Sequence, residues 1–559
     1  MKEKKQGKAR DDCGKRMKQI IFRKFEKRDI YALVFSGLIS TMLVLGREMT
    51  QYRMLLTPMA KLAVRFVGVW VGLSAVTLGL WRLLELLRFR EPAERKPLRP
   101  WVVFLVLFAG FLPMWLINFP GTFTGDTTMQ LAEYEQGCVS QSFPVLHTVF
   151  VGAFVTAGRA IFGSYNGGIA LAVFVQLLIL SGILTYSVLF FDRRSAFPHA
   201  GTVLMLLYIF SPVLQLFSKD LTRDTLFSAF ALLSGFLLHE AVYEPETLFA
   251  RPLRPVFFAS AMFAMLLGRN AAIALFALEL AVAAIALLKE KRPGYKKSLA
   301  LLAAVLALWG GWKGVVCDRV TLRNSPFEGI AESGIKENLS VPIQQVIRAA
   351  YFNWNTLPEE DKETILEMFP EGMIVSYNDD CADVAKAGFD QNKFKANRQR
   401  YIREWLRLGL RYKRSFLEAF LVLNTEGYYP DTVFDGGDIY GDASYYSGGT
   451  DAPGHPAPVF PKAFRSLSEL TADGHRLSCL KGLFSPAVML YILLFAGFYS
   501  LYRKGRGGIL LPAIFIHIGT LFGPMVCLRY YFASFLSVSP AIVLVLSPEI
   551  LSEKTTEKE

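Results

Sequence analysis

Charged side chains are scarce in this chain. Of its 559 residues, 19% are Asp, Glu, Lys or Arg, where a soluble domain holds roughly 25%. That argues against a soluble multi-domain enzyme. Cysteines are few and scattered: Cys13, Cys138, Cys317, Cys381, Cys479 and Cys527 include no CxxC spacing, so zinc and thioredoxin patterns are excluded. One disulfide among them stays open. There is no fixed-period repeat and no low-complexity tract. The composition also excludes collagen-like, disordered and small disulfide-rich classes. No small-residue cleavage site follows the first apolar block, Ile30 to Gly46. It reads as a retained anchor rather than a cleaved signal.

What is abundant is apolar. Hydrophobic residues make up 52% of the chain and fall in about a dozen blocks, each near the roughly 20 residues a helix needs to cross a bilayer. Spans are expected near 30–46, 62–84, 101–118, 168–191, 200–217, 223–243, 255–268, 271–289, 298–316, 483–502, 508–526 and 529–547. The net charge is +13, and the positive residues lie between apolar blocks, which suits the positive-inside rule better than nucleic acid. The basic tail 1–29, the loop with Arg88, Arg90, Arg95, Lys96 and Arg99, and the loops at 192–195, 289–297 and 502–506 then fall on the cytoplasmic side. This works if the block 146–163, which carries Arg159 mid-block, lies along the membrane as a juxtamembrane helix.

The expected fold class is therefore an all-α polytopic membrane protein of about 12 transmembrane helices with an extracytoplasmic, mainly α ectodomain. The segments are a cytoplasmic tail 1–29, an N-terminal transmembrane module 30–317 with an outer loop 119–147, the ectodomain 318–480, C-terminal helices 481–547 and a cytoplasmic tail 548–559. Both termini are cytoplasmic in a cell membrane. The ectodomain holds 24 Asp+Glu against 18 Lys+Arg, net −6, leaving the rest at +19. Its one clear amphipathic pattern covers about 393–423, with Tyr401, Trp405, Leu408 and Tyr412 at helical spacing.

Polar residues gather at the outer ends of several spans. Asp126 sits in GTFTGDTT; a loop Asp is often a turn or cap residue. Lys219, Asp220, Arg223 and Asp224 form SKDLTRD, either a solvated rim or a phosphate or sugar site. Arg269 and Asn270 break an apolar run too long for one helix, so they form the outer turn of a hairpin. Arg529 and Tyr530 open the last span, and His147 precedes the juxtamembrane helix. Arg suits phosphate because its planar fork donates two bonds; cations in a water-poor site stabilise a departing phosphate, and Asp126 is a candidate to accept the proton of an attacking hydroxyl. Glu279 lies mid-span, costly for a carboxylate, and must face the bundle interior, be neutral or be paired. His517 reads as a packing histidine. The acidic run Asp431, Asp435, Asp438 and Asp442 lacks EF-hand spacing and reads as a turn region, with calcium as the alternative. Asn338-Leu339-Ser340 is a glycosylation sequon only where that machinery exists.

In order and topology these features resemble the GT-C class of polytopic glycosyltransferases and, more narrowly, the bacterial DUF6020 membrane proteins. The matching pieces are PGTFTGDTTMQ at 120–130, FPVLHTVFVGAFVTAGRAIFG at 143–163, SKDLTRD at 218–224, GRN at 268–270, SVPIQQVIRA at 340–349 and RYY at 529–531. The resemblance implies a catalytic acid or base in the first large outer loop, matching Asp126, and juxtamembrane helices after it. It also implies a polyprenyl-phosphate-linked sugar as donor and inversion at the anomeric carbon. Many relatives pair two acidic residues there, whereas here Thr127 and Thr128 follow Asp126.

The leading expectation is thus a membrane glycosyltransferase. Asp126 would be catalytic, with His147, Lys219, Asp220, Arg223, Asp224, Arg269, Asn270, Arg529 and Tyr530 binding substrate. The scheme needs no cofactor and no metal. The acceptor would be an envelope glycan, a lipid or a protein. The alternatives are a transporter or flippase of a lipid-linked saccharide, favoured by Glu279, and an envelope scaffold.

Overall fold

The computed structural model describes residues 27–87, 97–122, 125–139, 143–317, 334–432, 460, 462–463, 481–503, 505 and 507–547. Most of the basic tail, Arg88, Arg90, Arg95, Lys96, Cys13, Cys479, Asp435, Asp438, Asp442 and the tail 548–559 lie outside the described residues. Within them the chain is helical; the β pairing is confined to isolated bridges, Thr122 with Asp220 and Cys381 with Met525.

The N-terminal helices are α1 (Lys27–Tyr52), α2 (Met59–Leu86) and α3 (Pro100–Ile117). Next come α4 (Gly125–Glu135), α5 (Val145–Phe162), α6 (Tyr165–Arg194), a bent pair α7 (Ala200–Ile209) and α8 (Pro212–Ser218), and α9 (Arg223–Tyr243). They are followed by α10 (Leu253–Gly268), α11 (Ala272–Glu290) and α12 (Tyr295–Gly311). Nine helices among the described residues are long and apolar enough to cross a membrane, or ten if α7 and α8 form one span. Leu253–Gly268, Pro486–Tyr502 and Gly507–Thr520 are apolar but shorter. The count is below the twelve expected because these three fall short on length and the span expected at 200–217 is the bent pair, while α5, expected as juxtamembrane, has the composition of a span. The protein is a multi-pass membrane protein.

Sequence explains the helix ends. Ser164 caps α6 by accepting from the Gly167 N–H at 3.1 Å, and Thr222 caps α9 through the Asp224 N–H. Such caps satisfy donors that the first turn otherwise leaves open. Prolines open α3 and α8, where a missing N–H costs nothing. The bend between α7 and α8 is 64° and falls at Ser211-Pro212, as the pre-proline restriction requires. Helix α9 is buried almost all round and accordingly lacks an apolar stripe. Gly158 of α5 and Gly168 of α6 let two backbones touch: a Cβ on Gly158 would lie 2.6 Å from the Gly168 Cα.

Between α12 and the C-terminal helices stands an inserted helical domain. Its helices include α13 (Ser340–Asn353), α14 (Glu359–Met368), α15 (Arg398–Arg411) and α16 (Lys413–Leu423). It has its own apolar core, built on Ile347, Ile365, Phe369, Phe389, Phe394 and Leu408. The amphipathic pattern expected over 393–423 is three helices, Gln391–Ala396, α15 and α16, broken at Asn397 and Tyr412. The domain docks on the turn after α1. Glu418 accepts from the Leu55 N–H at 2.7 Å, Arg414 donates to the Leu55 carbonyl at 2.6 Å, and Arg53 pairs with Asp380. Helices α17 (Pro486–Tyr502), α18 (Leu511–Thr520) and α19 (Phe532–Leu546) complete the bundle. Cys138, Cys317, Cys381 and Cys527 are free thiols. Asp431 pairs with Lys481 at 2.8 Å.

Candidate functional site

Five chain segments deliver polar residues to one end of the bundle. The first turn of α4 supplies Asp126, the first turn of α5 His147 and the first turn of α9 Arg223 and Asp224. The α10–α11 turn supplies Arg269, and the single turn Leu528–Tyr531 supplies Arg529 and Tyr530.

Asp126 is the centre. Its Oδ2 lies 3.1 Å from Arg223 Nη2 and 3.4 Å from Arg529 Nη1. Asp224 Oδ1 takes Arg269 Nη1 at 3.0 Å. Tyr530 sits between two guanidiniums, with Arg269 5.0 Å and Arg529 5.1 Å from its ring centroid; both distances are within cation–π range. Arg223 also lies 5.7 Å from the Phe143 ring. Among the described residues, three arginines therefore face two carboxylates in a partly buried setting, one positive charge more than negative. Asp126 is 29% exposed, Arg223 17%, Arg269 24% and Arg529 12%, so the charges reach solvent yet are poorly screened. Burial alone would raise the Asp126 carboxyl, but Arg223, Arg529 and Arg269 outweigh it and hold it below the ordinary carboxylate value.

His147 belongs to the same cluster, within electrostatic reach of Arg223, Asp224 and Asp126. Its Nδ1 is 3.0 Å from Gln130 Oε1, and the Gln130 amide donates to Thr148 Oγ1 at 3.1 Å. Nδ1 therefore carries the proton. The buried Nε2, with no hydrogen-bond partner among the described residues, keeps a lone pair. Gln130 escaped the sequence reading because 120–147 reads as a loop. Taken as a helix, the same residues put Gln130 one turn after Asp126 on one face.

Lys219 and Asp220 are placed differently. Both are fully buried, Lys219 at 1% exposure, so neither belongs to a solvated rim. Lys219 donates to Thr122 Oγ1 at 3.0 Å, Thr122 reaches Asp220 Oδ1 at 3.3 Å, and Gln176 donates to the Asp220 carbonyl at 2.8 Å. These bonds stitch the chain before α4 to the chain before α9, and so fix Asp126 relative to Arg223. Asn270 is exposed beside Phe143 and Trp312.

Two other buried groups lie elsewhere. Glu279 on α11 accepts from Ser234 of α9 at 3.3 Å. His517 on α18 is a packing histidine: Nε2 donates to the Gly427 carbonyl at 2.8 Å and Nδ1 lies 2.9 Å from Ser534 Oγ. No group of three His, Cys, Asp or Glu side chains among the described residues could hold a metal ion.

No curated protein and no solved structure matches the chain. A family of unknown function, DUF6020, matches residues 135–505, a stretch that holds the inserted domain and His147, Arg223, Asp224 and Arg269, while Asp126, Arg529 and Tyr530 lie outside it. The chain belongs to the DUF6020 family.

Proposed function

We propose that this protein is an integral membrane glycosyltransferase of the GT-C type. It moves a sugar from a polyprenyl-phosphate donor to an envelope glycan, lipid or protein acceptor on the outer face, with both termini cytoplasmic. The observation that supports this reading best is the cluster of Arg223, Arg269 and Arg529 around Asp126, with its excess positive charge at a bundle end.

In the proposed reaction the acceptor oxygen attacks the anomeric carbon and the bond from that carbon to the phosphate oxygen breaks. The donor phosphodiester carries one negative charge, and the leaving phosphate gains a second. Fixed guanidiniums stabilise that gain without reorganising. The acceptor proton passes to Asp126, and His147 Nε2 offers a second lone pair within the same cluster. Attack opposite the leaving phosphate inverts the sugar carbon. Tyr530 keeps two guanidinium planes in place by stacking, so their forks stay aimed.

A transporter of a lipid-linked saccharide is the second reading, favoured by Glu279 buried against Ser234 within the bundle. One experiment separates the two. The full chain and its Asp126→Asn variant, reconstituted in vesicles, are given a panel of radiolabelled polyprenyl-phosphate hexoses and a membrane extract as acceptor. The transferase reading expects label to move to acceptor with the native chain and to stop with Asp126→Asn at equal expression. Label that crosses the membrane still attached to its lipid would favour transport instead.

A further inference from the structure

The inserted domain contains a cavity of about 580 Å³. It opens beside α13 and α15, away from the charged cluster. Its wall is apolar and aromatic, formed by Ile343, Val346, Phe369, Phe389, Phe394 and Trp405 among others. Well-packed interiors leave few voids larger than a water molecule, whereas ligand cavities of this size with mostly apolar walls and a few polar groups are usual. The polar groups here are Lys395, Arg398 and Asn338.

Several cations near this wall are neutralised within the domain. On α15 Arg400 pairs with Glu367 at 2.5 Å, Arg407 with Asp361 at 2.6 Å and Arg411 with Asp361 at 3.1 Å. Lys395 and Arg398 make no ion pair among the described residues. Arg403, exposed on α15, likewise makes no ion pair among the described residues, so what sets Lys395 and Arg398 apart is that their unpaired charges lie on the wall of the cavity. A hydrocarbon wall with unneutralised positive charge complements an amphiphile with one apolar chain and an anionic head.

We propose that this cavity binds the hydrocarbon chain of an anionic amphiphile, with Lys395 and Arg398 holding its phosphate or carboxylate head. The inference is independent of the transferase reading: either can fail without the other.

The test uses the full chain in lipid nanodiscs and a diazirine-bearing dodecyl phosphate. After illumination, adducts are mapped by peptide mass spectrometry. Labelling is expected on the peptides that carry Phe389, Phe394, Tyr401 and Trp405. Unlabelled alkyl phosphates should compete, gaining about fourfold in affinity per added methylene until the cavity is full. Dodecyltrimethylammonium should not compete. Val346→Trp, which fills the cavity, should abolish the adducts. Lys395→Glu with Arg398→Glu, both at the rim, should lower labelling at least tenfold while the thermal transition stays in place. Repeating the competition with dodecanoate distinguishes a carboxylate head from a phosphate head. Equal competition by the cationic amphiphile, adducts that persist in Val346→Trp, or unchanged labelling in the charge-reversed protein would each overturn the proposal.

Discussion

Asp126 lies in the first turn of α4 and Arg529 at the opening of the last long helix, yet carboxylate and guanidinium are 3.4 Å apart. Neither residue is notable in its own stretch of sequence. The first turn of α9 adds Arg223 to the same carboxylate oxygen at 3.1 Å.

Arg529→Lys tests the geometry rather than the charge. Lysine keeps the cation but loses the planar fork and the stacking on Tyr530. Under the transferase reading, transfer should fall about 10- to 100-fold with expression unchanged, read as kcat/KM on the labelled donor. Full activity in this variant would remove the guanidinium from the mechanism.

The acid limb of the rate should lie low. Asp126 is held below its ordinary value of 3.8 by Arg223, Arg529 and Arg269 against the opposing effect of burial. A carboxylate base is active when ionised, so its contribution is kept above that depressed pKa and lost only as pH falls through it. Arg223→Gln removes the nearest cation, and the acid limb should then move to higher pH. A pH–rate profile from pH 3 to 8 on both proteins reads the shift. A limb that stays in place would show that Asp126 does not govern it.

The α5–α6 contact should tolerate no added carbon. Gly158→Ala is expected to destabilise by about 1–3 kcal/mol through overpacking, because the new Cβ meets backbone and not a movable side-chain end. Gly182→Ala is the control, since its added Cβ meets nothing within 4 Å. Thermal unfolding in detergent should separate the two.

How much of this was legible beforehand follows from the physics of each signal. Long apolar runs announce themselves, so the span expected at 62–84 is the helix Met59–Leu86 and the break at Arg269–Asn270 is the α10–α11 turn. Helix α4 was invisible because its sequence, GDTTMQLAEYE, carries little apolar periodicity and forms against α5, with the Tyr134 ring lying where a Gly152 side chain would be. The kinks at Asn397 and Tyr412 leave a 3.6-residue period intact on either side, so periodicity joined three helices into one. The rim residues could be named, but not their partners. That Arg269 takes Asp224 while Lys219 turns to Thr122 is settled by tertiary packing alone.

Arg348 should be the most sensitive charge in the inserted domain. Its side chain is 0% exposed and pairs with Asp379 and with Glu418 at 3.5 Å. Arg348→Met removes the buried cation shared by the two carboxylates; Glu418 keeps Arg414 at 2.8 Å and Asp379 keeps the Tyr377 hydroxyl at 2.7 Å, so the loss should be that of charge-assisted hydrogen bonds, about 1.5–3 kcal/mol. Limited proteolysis of the full chain should show early cleavage within 334–432 in this variant. Resistance equal to the native chain would mean that Tyr377 and Arg414 suffice for the two carboxylates.

The hydrogen bond from His517 to the Gly427 carbonyl has a consequence for anyone who would take the molecule apart. Excising the insertion strands an imidazole N–H deep among the last helices, against the Tyr531 ring, at a cost comparable to any lost buried bond. The soluble-looking portion and the lipid-embedded portion are therefore a single mechanical object, and neither half is a faithful surrogate for the whole.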